Sequence, residues 1–163
     1  LKLTVTRRYW LPALHTLSAR GFSEDENRKV FGGCSRLHGH DYRIEVTVGG
    51  SIDPDTGWIV NRDLMDRTVE AVLIEPFRGR NLSRHFRCTT GEALCVEFMQ
   101  RLQDHFPPEL KLVRLTVLET PKNSFSVVPG SVSAHPMIPA PGRRDERKAA
   151  GHADPLLSGR PEQ

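Results

Sequence analysis

Apolar and polar positions alternate with a period of two over two stretches near the start of the chain, the pattern of half-buried strands. From Leu1 to Leu11 the larger apolar residues stand mostly on odd positions, and that parity runs on through Ala13 to His15. A second strand is expected from His38, with His38, His40, Tyr42, Ile44, Val46 and Val48 on one face and Asp41, Arg43, Glu45 and Thr47 on the other. Gly49-Gly50-Ser51 ends it. Between the two, Ser18 to Gly33 is charged and glycine-bearing without a sustained period, and reads as a loop.

The period then changes. After a turn at Asp53-Pro54-Asp55-Thr56-Gly57, a helix is expected from about Asp63 as N-cap, with the stripe Leu64, Met65, Val69, Val72 and Leu73. Pro76 is expected to break it. A second helix is expected to open at Thr89, with Glu92 completing a capping box, and to bury Leu94, Cys95, Phe98, Met99, Leu102 and Phe106 before Pro107-Pro108. A third strand, Lys111 to Glu119, leads through Pro121-Lys122-Asn123 to a short strand, Ser124 to Val128. The order strand, strand, helix, helix, strand, strand makes this an α+β fold.

Composition changes the picture only at the end of the chain. The 163 residues are 37% hydrophobic and 26% charged, as in an ordinary globular domain. From Pro129 to Gln163 there are five further prolines, no aromatic residue and the charged run Arg143 to Lys148. Residues 1–128 are therefore expected to form one domain and 129–163 a disordered tail, which buries too little apolar surface to offset its ordering entropy. No apolar run reaches the roughly 18 residues of a membrane span, and no secretory segment is expected. A net charge of +3 gives no reason to expect a nucleic-acid partner. Three cysteines without framework spacing favour a reducing cytoplasm.

The candidate chemistry lies on the first two strands. His38 and His40 project from one strand face, and His15 ends a matching face. Three imidazole nitrogens form the ligand set of a catalytic zinc with an open fourth position. Cys34 has three readings: a thiolate base or nucleophile favoured by a neighbouring cation, a small buried hydrophobe, or a fourth ligand that closes the site. Glu119 shares the parity of Val113, Leu115 and Val117, so it ends an apolar face. There it is either solvated or pairs with the N–H edge of a pterin or guanine. Arg78 to Arg87 is strongly basic; a solvated loop or subunit contact is favoured over a triphosphate grip.

These residues resemble a known family, the 6-pyruvoyl- and 6-carboxy-tetrahydropterin synthases. The resemblance is carried by His15, Phe31-Gly32-Gly33-Cys34, His38-Gly39-His40-Asp41-Tyr42, Gly57-Trp58-Ile59-Val60, Arg80-Asn81-Leu82, Thr89-Thr90-Gly91-Glu92-Ala93-Leu94 and Val117-Leu118-Glu119-Thr120-Pro121. It implies the tunnelling fold: an antiparallel sheet with two helices on one face, assembled into a barrel, usually a hexamer of two trimers with active sites between subunits. It further implies zinc on His15, His38 and His40, Cys34 as catalytic thiolate, and Thr89, Thr90 and Glu119 as pterin-anchoring positions. The implied activity is that of a lyase converting 7,8-dihydroneopterin triphosphate to a 6-carboxy- or 6-pyruvoyl-tetrahydropterin, in tetrahydrobiopterin or queuosine-type deazapurine biosynthesis. One departure stands out: the family's Asp-His proton-transfer pair is replaced by Arg78-Gly79. A different dihydroneopterin reaction, or a zinc-containing pterin- or purine-binding paralogue, is the alternative that this departure raises.

Overall fold

In the computed structural model the described residues are 3–130 except Glu109. The expected disorder of the tail lies outside them beyond Gly130. Four strands, β1 (Thr4–His15), β2 (His38–Gly49), β3 (Lys111–Leu118) and β4 (Ser124–Val127), form one sheet in the order β1-β2-β3-β4. Every neighbouring pair is antiparallel. The helices are α1 (Glu24–Phe31), α2 (Arg62–Val69), α3 (Glu75–Phe77) and α4 (Gly91–Gln103).

The alternation read from the sequence sets the two faces of the sheet. Tyr9, Leu11, Ala13 and His15 of β1 are buried, as are Tyr42, Ile44, Val46 and Val48 of β2. All of these but His15 share one hydrophobic core with Met65, Val69, Leu73, Leu94, Phe98 and Leu102 from the helices, so the helices cover this face. The other face is polar and exposed: Arg8 pairs with Glu45 at 2.7 Å, and the Arg43 guanidinium lies 5.0 Å from the centre of the Trp10 ring. No helix among the described residues is long and apolar enough to cross a membrane.

Several expectations need correction. Ser18–Gly33 contains a helix, α1, that buries no residue and so leaves no apolar stripe to read. Its signals are local: Ser23 and Glu26 form a capping box, acids fill the first turn, and Arg28 and Lys29 sit in the last. A 3-10 turn, Gly32–Ser35, follows. The N-cap of α2 is Asn61 and not Asp63, with its side-chain oxygen accepting from Leu64 N at 3.1 Å. Leu64 itself is exposed.

Pro76 does not end the helical run. Residues Glu70–Ile74 widen into a π segment, in which the Glu75 N–H reaches the Glu70 carbonyl. The wider turn accommodates the proline ring, which in an α-helix would meet the carbonyl four residues back. The cap of α4 is Thr90, one residue later than expected, and β3 ends at Leu118. Val113 leaves the buried face because the β2–β3 register shifts between Thr47 and Val48, pairing Thr47 with Arg114 but Val48 with Leu112. Gly91 opens α4 where any Cβ would lie 2.1 Å from the Phe125 ring, so only glycine lets the helix start this close to β4.

One polar latch joins α2 to β1. Asp66 accepts from Arg7 Nε at 2.7 Å and from the Tyr9 hydroxyl at 2.8 Å. Burial alone would raise the Asp66 pKa, but hydrogen bonds from Arg7 and Tyr9 and the Arg7 charge outweigh it and hold the carboxyl below its usual range. The folded chain therefore keeps Asp66 ionised to lower pH than the unfolded chain does. Its contribution is present above about pH 4 and is lost as acid protonates the folded carboxyl. Asp66→Asn should cost about 1–3 kcal/mol in urea unfolding at pH 7, with the gap to wild type closing on acidification. A gap independent of pH would contradict this latch.

Candidate metal centre and its surroundings

The register of β1 against β2 pairs His15 directly with His38 and puts His40 opposite Ala13. All three rings project toward the helix side, at the end of the sheet where the two strands finish. Ring centroids are 4.4 Å apart for His15 and His38, 5.0 Å for His15 and His40, and 4.9 Å for His38 and His40. One ligand nitrogen from each ring falls within a group spanning no more than 4.8 Å. His15 is fully buried, while His38 and His40 are partly open.

Backbone carbonyls orient two of the rings. His15 Nδ1 donates to the Thr89 carbonyl at 2.9 Å, and His38 Nδ1 donates to the Arg36 carbonyl at 2.8 Å. A neutral imidazole has a single N–H, so both Nε2 atoms are left with lone pairs. Yet those two atoms face each other at 2.9 Å. Two lone pairs at that distance repel unless a proton or a cation joins them. Burial lowers the pKa of His15 and of His40, the neighbouring Glu119 charge opposing it in both, so a shared proton is disfavoured. The donor set thus fits a metal ion, and the cluster could hold one.

Glu119 follows β3 and sits beside this cluster. Its Oε1 is 3.7 Å from His15 Nε2 and 3.8 Å from His40 Nε2, with the side chain only 13% exposed. The carboxylate is therefore held at the cluster and not solvated. Tyr42 lies against His15 and His40 with ring centroids 5.9 and 5.3 Å away. Its hydroxyl is the one buried side-chain polar atom without a hydrogen-bond partner among the described residues. Burial first, and then the charges of Glu119 and Cys34, push the Tyr42 phenol up.

Thr89 and Thr90 have local tasks. Thr89 is buried, with its hydroxyl donating to the Thr16 carbonyl at 3.0 Å and its own carbonyl on His15. Thr90 caps α4 through Ala93 N. Cys34 is exposed, in the turn Gly32–Ser35, which rules out the buried-hydrophobe reading. Its carbonyl accepts from Leu17 N at 2.8 Å, tying its loop to the chain just past His15. Its sulfur is not in the close group of ligand atoms. Cys95 is a core residue as expected, its thiol donating to the Phe125 carbonyl at 3.0 Å and pushed up to about 11 by burial.

The segment that departs from the family pattern is pinned to β1. Gly79, at φ +69°, donates its N–H to the Pro12 carbonyl at 2.7 Å, and Leu14 N donates to the Arg80 carbonyl at 2.9 Å. Arg78 is 3.3 Å from Glu70, and the His85 ring packs on Phe77 at 5.5 Å. Sequence reading did not assign site roles to Tyr42 or to the Arg36 and Thr89 carbonyls. Parity alone pointed to Tyr42; no side-chain pattern reports a backbone carbonyl.

A family model for 6-pyruvoyl tetrahydropterin synthase matches residues 4–129. The chain belongs to that family. The 6-pyruvoyl tetrahydrobiopterin synthase of Homo sapiens is 34% identical over 126 residues, 73% of this chain and 86% of the relative. A probable 6-carboxy-5,6,7,8-tetrahydropterin synthase of Halobacterium salinarum is 30% identical over 105 residues, 55% of this chain and 69% of the relative. Among solved structures, the 6-pyruvoyl tetrahydropterin synthase of Caenorhabditis elegans superposes with a TM-score of 0.71 at 26% identity, covering 78% of this chain and 96% of the other. The Plasmodium vivax synthase shares the fold at a TM-score of 0.60 and 13% identity. This is the tunnelling fold of the tetrahydropterin synthases.

The facing nitrogens yield a prediction about acid and metal together. Because folding lowers the pKa of His15 and His40, the unfolded chain binds more protons below about pH 6.5, and metal-free protein should lose stability as pH falls through that range. Zinc at pH 7.5 should raise the melting temperature, and His38→Ala should abolish that rise. An equal rise in the variant would exclude this cluster as the binding site.

Proposed function

We propose that the protein is a zinc-dependent lyase of the tetrahydropterin synthase type. Its substrate is 7,8-dihydroneopterin triphosphate and its product a 6-carboxy- or 6-pyruvoyl-tetrahydropterin. The observation that carries this reading is the convergence of His15, His38, His40 and Glu119 at one end of the sheet, in a chain of this family. The three imidazoles suit zinc, with two of them held in the required tautomer. A zinc ion held there supplies Lewis acidity for the hydroxyl-bearing side chain of the pterin.

The chain's own residues do the rest. Glu119 accepts hydrogen bonds from the N–H edge of the pterin, with Thr89 and Thr90 at the same end of the sheet. Cys34, exposed and tethered beside His15, removes a side-chain proton as triphosphate departs. Sites of this kind in the family lie between subunits, and a homohexamer of two trimers in the cytoplasm is part of the same reading.

A second reading has its own observation. Where the family pattern has an Asp-His pair, Arg78 is engaged by Glu70 and Gly79 has no side chain. Neither moves a proton at neutral pH. A protein with zinc and pocket intact but without that relay would run a different dihydroneopterin reaction, or bind a pterin or purine without turning it over.

Mass spectrometry of zinc-loaded protein with 7,8-dihydroneopterin triphosphate separates the two. Triphosphate release and a tetrahydropterin product are expected, with turnover falling about 10²–10⁴-fold in Cys34→Ala while pterin affinity is kept. Bound but unchanged substrate in the wild type would favour the binding paralogue.

A further inference from the structure

The Glu119 carboxylate is placed for a task besides pterin binding. The Glu119 N–H donates to the Asn123 carbonyl at 3.0 Å, which fixes the backbone at the β3–β4 hairpin. The side chain is only 13% exposed, and it ends with Oε1 3.7 Å from His15 Nε2 and 3.8 Å from His40 Nε2. A carboxylate this buried needs a positive or donor partner. His15 Nε2 cannot be one in the neutral ring, because the His15 N–H sits on Nδ1 and is spent on the Thr89 carbonyl. An anionic oxygen therefore faces the same His15 lone pair that His38 Nε2 already faces at 2.9 Å. One cation satisfies all of these contacts at once.

We propose that Glu119 is the fourth ligand of the metal ion when no pterin is bound, and that it gives up this position on pterin binding. The proposal rests on the metal reading of the histidine cluster. Three imidazoles and one carboxylate form an N3O set that zinc accepts. Cys34, the other candidate for a fourth ligand, is exposed in the turn Gly32–Ser35, whereas the Glu119 side chain is only 13% exposed. The carboxylate would thus hold the ion's fourth position against solvent in the resting protein. Pterin arrival would exchange one partner of Glu119, the ion, for another, the N–H edge of the ring, and open the ion to the substrate side chain in the same motion.

Cobalt(II) reports the ligand set directly through its visible absorption. The full-length protein is loaded with cobalt, as wild type, Glu119→Gln, Glu119→Ala and His38→Ala, with circular dichroism checking that each variant is folded. The wild type should show the bands of a four-coordinate site, and both Glu119 variants a changed band shape. Zinc affinity, measured by competition with a chromophoric chelator, should fall at least about tenfold in both. Adding 7,8-dihydroneopterin should move the wild-type spectrum and leave that of Glu119→Gln in place. If the Glu119 variants keep the wild-type spectrum and zinc affinity while His38→Ala loses metal, the ligand role is overturned and the metal site stands. If the wild type binds no cobalt, both fall. A wild-type spectrum unmoved by saturating dihydroneopterin overturns the exchange.

Discussion

Everything at the candidate site depends on the register of β1 against β2. The two strands pair without interruption from Thr4 opposite Gly49 to His15 opposite His38. Side chains alternate along a strand, so a slip of one residue would send His15 to the polar face and leave His38 and His40 facing the core without it. The register is enforced far from the site by buried Tyr9, Leu11, Ile44 and Val46. It is held also by the Asp66 latch on Arg7 and Tyr9. The core of the sheet is thus what brings three imidazoles together at its end.

Given that placement, the backbone supplies the chemistry's orientation. Carbonyls of Thr89 and Arg36 take the Nδ1 protons and turn lone pairs of His15 and His38 toward each other. Thr89 can do this because its hydroxyl is anchored on Thr16 and because Gly91 lets α4 begin close against Phe125. On the outer edge of β1 the segment after α3 is clipped down by Gly79 and Arg80. The position that in the family pattern bears an acid-base pair here serves as a brace for the strand carrying His15.

Much of this could be read from residue order, because the signals were periodic. Alternation from His38 to Val48 placed two histidines of the cluster and Tyr42 on one face, and the parity from Leu3 to His15 placed the third histidine on the matching face. What escaped the reading was what has no periodic signal. Helix α1 buries nothing and is specified by its cap and charges. The run through Pro76 survives because π turns make room for the ring, and Val113 faces out because one residue is inserted against β2. Glu119 was legible as the end of an apolar face but not as a neighbour of His15 and His40, since that depends on the hairpin geometry after Leu118.

The central claim is that the three histidines, and not the cysteine, hold the metal. X-ray absorption at the zinc edge of the substrate-free protein tests it most directly. The account predicts a shell of nitrogen and oxygen scatterers at about 2.0–2.1 Å, with the outer-ring signature of three imidazoles and no sulfur. A sulfur scatterer at about 2.3 Å would put Cys34 on the metal and contradict it.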